Sequence, residues 1–115
     1  ISGTVIGSSG TASHGTCSPY DMHNVLIAGG PSFKSGIVSD IASGNVDIAP
    51  TVYHLITGNT LSDVDGRVLT EAIASGKTPA DIQTQTLETG NEKRQQFLEI
   101  ASVSGTEYIN KGWSK

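Results

Sequence analysis

The side chains of this chain best suited to metal or acid–base chemistry are His14, His23 and His54, with Cys17 and the carboxylates Asp21 and Asp65 in the same stretches. His14 stands in Ser13-His14-Gly15, inside a Gly/Ser/Thr-rich segment just ahead of a short apolar run. A neutral imidazole can ligate a divalent cation or accept a proton near neutral pH. The adjacent glycine lets backbone approach a ligand closely, and loops at strand ends of α/β sheets commonly carry active-site groups. A solvated loop histidine fits the same context. Cys17 adds a His-x-x-Cys spacing, but two donors do not close a zinc site, and the thiol reads as a small packed hydrophobe. His23 can cap the following run or pair with Asp21, and His54 lies beside the apolar face of a helix; both read as structural. Asp21, after Ser18-Pro19-Tyr20, reads as a loop brace. Asp65-Gly66-Arg67 offers either a guanidinium fork for an anion or a turn and helix start with Asp65 as N-cap. The chain carries no GxGxxG, Walker A or GxSxG pattern, hence no dinucleotide, P-loop or hydrolase-elbow signature.

These residues need elements to position them. Residues 1–23 read as loop, with a possible short strand at 4–6. Residues 24–28, Asn-Val-Leu-Ile-Ala ahead of Gly29-Gly30-Pro31, predict a buried strand of an α/β sheet. Ile48, Val52, Leu55 and Ile56 recur at helical spacing and predict a helix. Asp47, or its rival Asn45, caps it; Pro50 falls in the first turn and Gly58 stops it. Val68, Leu69, Ala72 and Ile73 predict a second helix over 67–75, ended by Gly76 and Pro79. The tail changes period. Ile82, Thr84 and Thr86 alternate with glutamines, 89–92 reads as a turn, and 96–103 and 106–110 read as strands joined at Ser104-Gly105.

The bulk numbers bound the rest. At 115 residues the chain holds one domain with a modest core. A net charge of -4 and the absence of any basic run argue against a nucleic-acid backbone as partner. The apolar stretches are too short to span a membrane, and a single cysteine rules out an internal disulfide. The chain opens at Ile1 without methionine, so its natural N-terminus is expected to lie further upstream.

The order of the pieces carries a resemblance. Residues 12–36, ASHGTCSPYDMHNVLIAGGPSFKSG, resemble the segment after the metal-binding core of type I phosphodiesterases and nucleotide pyrophosphatases, within the alkaline phosphatase superfamily. NVDIAPTVYHLITG at 45–58 resembles the helix that follows in phosphatases and sulfatases of the superfamily, and DGRVLTEAI at 65–73 and RQQFLEIASVSGTEYINKG at 94–112 also fit. The resemblance covers most of the chain from Ser13 onward. It implies an α/β architecture, the C-terminal part of an alkaline-phosphatase-like sheet-and-helix fold with antiparallel strands at its end, with 1–115 forming one piece of a larger hydrolase domain. It implies that His14 ligates one of two divalent metal ions, usually zinc, and that the substrate is a phosphate ester. The chemistry implied is in-line phosphoryl transfer by a Ser or Thr nucleophile lying upstream, with the other ligands, so that 1–115 alone is inactive. Cys17 is not in the setting of the sulfatase nucleophile. A sulfatase or phosphomonoesterase parent, or a non-catalytic binding or structural domain, are the competing readings. Export is an expectation from the family, and association through exposed strand edges is an expectation of truncation.

Overall fold

A computed structural model describes residues 15–115. His14 and the short strand expected at 4–6 lie outside the described residues. Helices and strands are both present: α1 (Pro19–Met22), a 3-10 turn (Asn45–Asp47) running into α2 (Ile48–Thr57), and a three-stranded antiparallel sheet of β1 (Ile82–Asn91), β2 (Arg94–Val103) and β3 (Thr106–Ser114), in that spatial order. The coarse α/β reading and the antiparallel end therefore hold. By internal contacts the described residues divide into two compact units: residues 15–25, 84–101 and 109–115, and residues 26–83 and 102–108.

In the second unit α2 forms where its periodicity predicts, and Gly58 ends it at φ 74°, the left-handed conformation that glycine adopts without Cβ strain. Its burial is not as predicted. Pro50 and Thr51 are the buried residues, whereas Ile48, Val52 and Ile56 are exposed. Leu69, Ile73 and the fully buried Val103 are the apolar core residues of this unit. Burying a side chain such as Val103 contributes about 1.5–3 kcal/mol.

Two sequence-predicted elements are corrected. Residues 24–28 form no strand and join no ladder among the described residues, and Val25 and Ile27 are 86% and 84% exposed. An apolar run becomes a strand only when a neighbouring backbone takes its hydrogen bonds, and none does so here. Residues 67–75 are not helical. The backbone groups a helix would have used are engaged elsewhere: Leu69 N–H donates to Thr51 Oγ1, Lys34 N–H to the Ala72 carbonyl, and Ala74 N–H to the Ser32 carbonyl. Phe33 and Ile73 form an antiparallel bridge. Asp65 thus caps no helix.

The hairpins are close to the sequence reading. Ser104 and Gly105 take φ 51° and 84°. Positive φ at both residues is the twist that a two-residue hairpin requires. The β1–β2 turn lies later than expected. β1 runs on through Asn91, and Asn91 Oδ1 accepts the N–H groups of Lys93 and Arg94, closing the turn at Glu92-Lys93.

The two-residue turn sets Val103 opposite Thr106, yet at the far end Gln95 and Lys115 exchange reciprocal backbone bonds of 3.1 and 3.0 Å. Between these pairs β3 holds one residue more than β2, which is a β-bulge. It falls at Asn110-Lys111, both of which reach Glu99. Below it Phe97 and Trp113 stack at 5.1 Å on one face, with Lys111 and Lys115 over the rings.

Candidate functional site

Each candidate side chain is held by its local structure. In the first unit Ser18 caps α1 by accepting Tyr20 N–H, and Pro19 supplies the preset first helical position. Asp21, projecting back from α1, accepts from the backbone N–H and the hydroxyl of Thr16. That is the loop brace expected of Asp21, and it fixes the segment that leads from His14 into the helix. Cys17 is exposed rather than packed. His23 does not pair with Asp21. Its Nε2 lies 2.7 Å from Asn110 Oδ1, and the Asn110 amide in turn donates to Glu99. The bulge places Asn110 for both contacts. With Nε2–H donating to that carbonyl oxygen, Nδ1 of a neutral ring is left for solvent. His54 Nδ1 lies 3.2 Å from the Asn59 carbonyl, just past the end of α2.

The second unit holds a polar cluster that sequence reading only half located. Asp47 is fully buried. Its carboxylate accepts Gly44 N–H at 2.7 Å, Arg67 N–H at 2.8 Å and the Tyr108 hydroxyl at 3.0 Å. It therefore does not cap α2 with its side chain; it reaches back across the 3-10 turn and outward to two distant segments. The Arg67 guanidinium clasps Glu71 through two bonds of 2.8 and 2.6 Å, donates to the Ala42 carbonyl at 2.9 Å, and points Nε at the Tyr108 oxygen at 3.1 Å. The fork that Arg67 could have offered an external anion is thus occupied by an internal one. No buried side-chain nitrogen or oxygen among the described residues lacks a partner, so the cluster is satisfied and works as a brace.

Electrostatics follow from this closure. Burial disfavours the Glu71 carboxylate, but its hydrogen bonds and charge pairing with Arg67 outweigh that and hold its pKa below the ordinary value. Burial likewise opposes the Arg67 charge, and Glu71 overcomes it, raising its pKa. Burial and the hydrogen bond to Asp47 push the Tyr108 hydroxyl up to about 12. Tyr108 lies 61 residues from Asp47, and no local spacing could have flagged it.

Among the described residues no group of three or more His, Cys, Asp or Glu side chains could hold a metal ion. Nor is any helix among them long and apolar enough to cross a membrane. Comparison with models of protein families, with curated proteins and with solved structures returns no match.

Proposed function

We propose that this chain is the C-terminal part of a metal-dependent phosphoric ester hydrolase of the phosphodiesterase and nucleotide pyrophosphatase kind, in an alkaline-phosphatase-like fold. Its contribution to catalysis is one histidine, His14, as a ligand to a pair of divalent cations. The nucleophile and the other ligands come from upstream, and residues 1–115 alone are inactive. The observation that carries the reading is the bond from Arg67 N–H to buried Asp47. Asp47 belongs to NVDIAPTVYHLITG and Arg67 to DGRVLTEAI, two of the segments on which the resemblance rests. They are twenty residues apart and meet at one buried carboxylate. The exposed apolar side chains of α2 and of 24–28 are also what a larger domain would cover.

The test is hydrolysis of bis-p-nitrophenyl phosphate, with and without added zinc, by residues 1–115 and by a longer polypeptide that includes the upstream half. The expected result is no turnover by the short chain, and zinc-dependent turnover by the long one that His14→Ala abolishes. Turnover by residues 1–115 alone, or an active long chain indifferent to His14→Ala, would overturn the assignment.

A further inference from the structure

The first unit carries a cleft of about 520 Å³ on the sheet, within the roughly 300–1,000 Å³ range of small-molecule sites. Strand alternation decides which side chains face it. Phe97 and Trp113 stack together on one face of the sheet, so their neighbours Gln96, Leu98, Gly112 and Ser114 present to the other. Cross-strand pairing from the β1–β2 turn adds Leu87 and Thr89 to that second face, and all six line the cleft. They fall into two rows. Leu87, Leu98 and Gly112 form an apolar row; Thr89, Gln96 and Ser114 form a polar one beside it.

The apolar row is walled by Cys17. The Cys17 carbonyl accepts Gly112 N–H, and a Cβ at Gly112 would come within 2.9 Å of Cys17 Cβ, so glycine is what lets the wall stand this close. Beyond the polar row, also lining the cleft, is Arg94. Its guanidinium makes no hydrogen bond or ion pair among the described residues, unlike that of Arg67. Residues 1–14 contain no carboxylate that could pair with it. Glu88 contributes to the lining from β1, but alternation turns its side chain to the face of Phe97. The surface therefore grades from apolar, through neutral hydrogen-bonding groups, to an uncompensated cation. The rise from Leu98 to Arg94 is four residues, about 13 Å.

We propose that this cleft binds a single-chain amphipathic anion, a medium-chain alkyl carboxylate. The alkyl chain lies over Leu87, Leu98 and Gly112 against Cys17. The carboxylate accepts from Arg94, with Thr89, Gln96 and Ser114 around it. Apolar contact supplies affinity, and the charge-assisted bond to Arg94 supplies the choice of an anion over a neutral amphiphile.

Octanoate titrated into the ¹⁵N-labelled 115-residue chain, followed by amide resonances, tests this. Saturable shifts are expected at 87–89, 96–98 and 112–114, with 1-octanol binding several-fold more weakly. Arg94→Gln, an exposed change that spares the fold, should weaken octanoate roughly three- to tenfold and leave octanol unaffected. Leu98→Gln should weaken both. Equal binding of octanoate and octanol, or shifts confined to the exposed apolar residues of α2 and 24–28, would overturn the proposal. So would binding only to vesicles of anionic phospholipid, which would make the surface a membrane contact. None of these outcomes depends on phosphodiester hydrolysis, so this inference and the proposed function stand or fall separately.

Discussion

At the scale of single residues, the buried carboxylate of Asp47 and the Tyr108 hydroxyl that serves it give the clearest consequences. Tyr108 is held protonated, its pKa moved from 10.0 to about 12. A group whose pKa is raised on folding stabilises the fold fully below its unfolded value, and that contribution is lost as pH rises through the folded one. Urea-unfolding midpoints should therefore fall between pH 10 and about 12. Tyr108→Phe should flatten that alkaline limb while lowering stability at neutral pH by about 1.5–3 kcal/mol, the worth of a hydrogen bond to a charged group. Glu71 shows the opposite sign. Its pKa is lowered by Arg67, so its stabilisation is present above the ordinary carboxylate range and is lost as pH falls below it. Glu71→Gln should lower stability at neutral pH and make the remaining stability less dependent on acid, as read by the same unfolding series run downward in pH. In the sequence Arg67 reads either as a fork for an anion or as part of a turn and helix start. That the anion is Glu71, with Tyr108 on its other side, depends on tertiary approach that residue type alone does not encode.

At the scale of elements, what could be read in advance follows one rule. α2 and the β2–β3 turn are specified by residues inside them: Pro50 and Gly58 bound the helix, and Ser104-Gly105 accept positive φ. The segments 24–28 and 67–75 depend on partners far away in the chain. Residues 24–28 find none among the described residues, and the donors of 67–75 are claimed by Asp47, Thr51 and Ser32. Periodicity cannot foresee either outcome, because tertiary contacts override propensity. The ligand role expected of His14 comes from the resemblance, and His14 lies outside the described residues. Two glycines separate local from tertiary constraint experimentally. Gly58→Ala meets no atom within 4 Å, so its cost is conformational alone, about 1 kcal/mol. A Cβ at Gly66 would run into the Val46 carbonyl oxygen. Gly66→Ala must push apart the loop that positions Asp47, and should cost about 3 kcal/mol or more in chemical denaturation.

At the scale of the molecule, exposed apolar surface dominates behaviour in solution. Val25, Ile27, Val38 and Ile56 are each more than three-quarters exposed, and the first two sit in a segment that joins no strand pairing among the described residues. Light scattering should show association that grows with concentration. Val25→Lys with Ile27→Lys should suppress it while changing the unfolding free energy by no more than about 0.5 kcal/mol, since neither side chain is buried. Persistence of association in the double variant would move the contact to α2.

The bulge at Asn110-Lys111 carries a further consequence, for tolerance of length change. It works as a spare link in β3. Loss of Asn110 would let the strand close up in the turn's own register, and Trp113 would still meet Phe97. A deletion that reverses side-chain facing in an ordinary strand would here leave the aromatic stack in place, at the expense of His23's partner and one grip on Glu99. The hairpin is thus one position in which the chain can shorten by a residue without a change of phase.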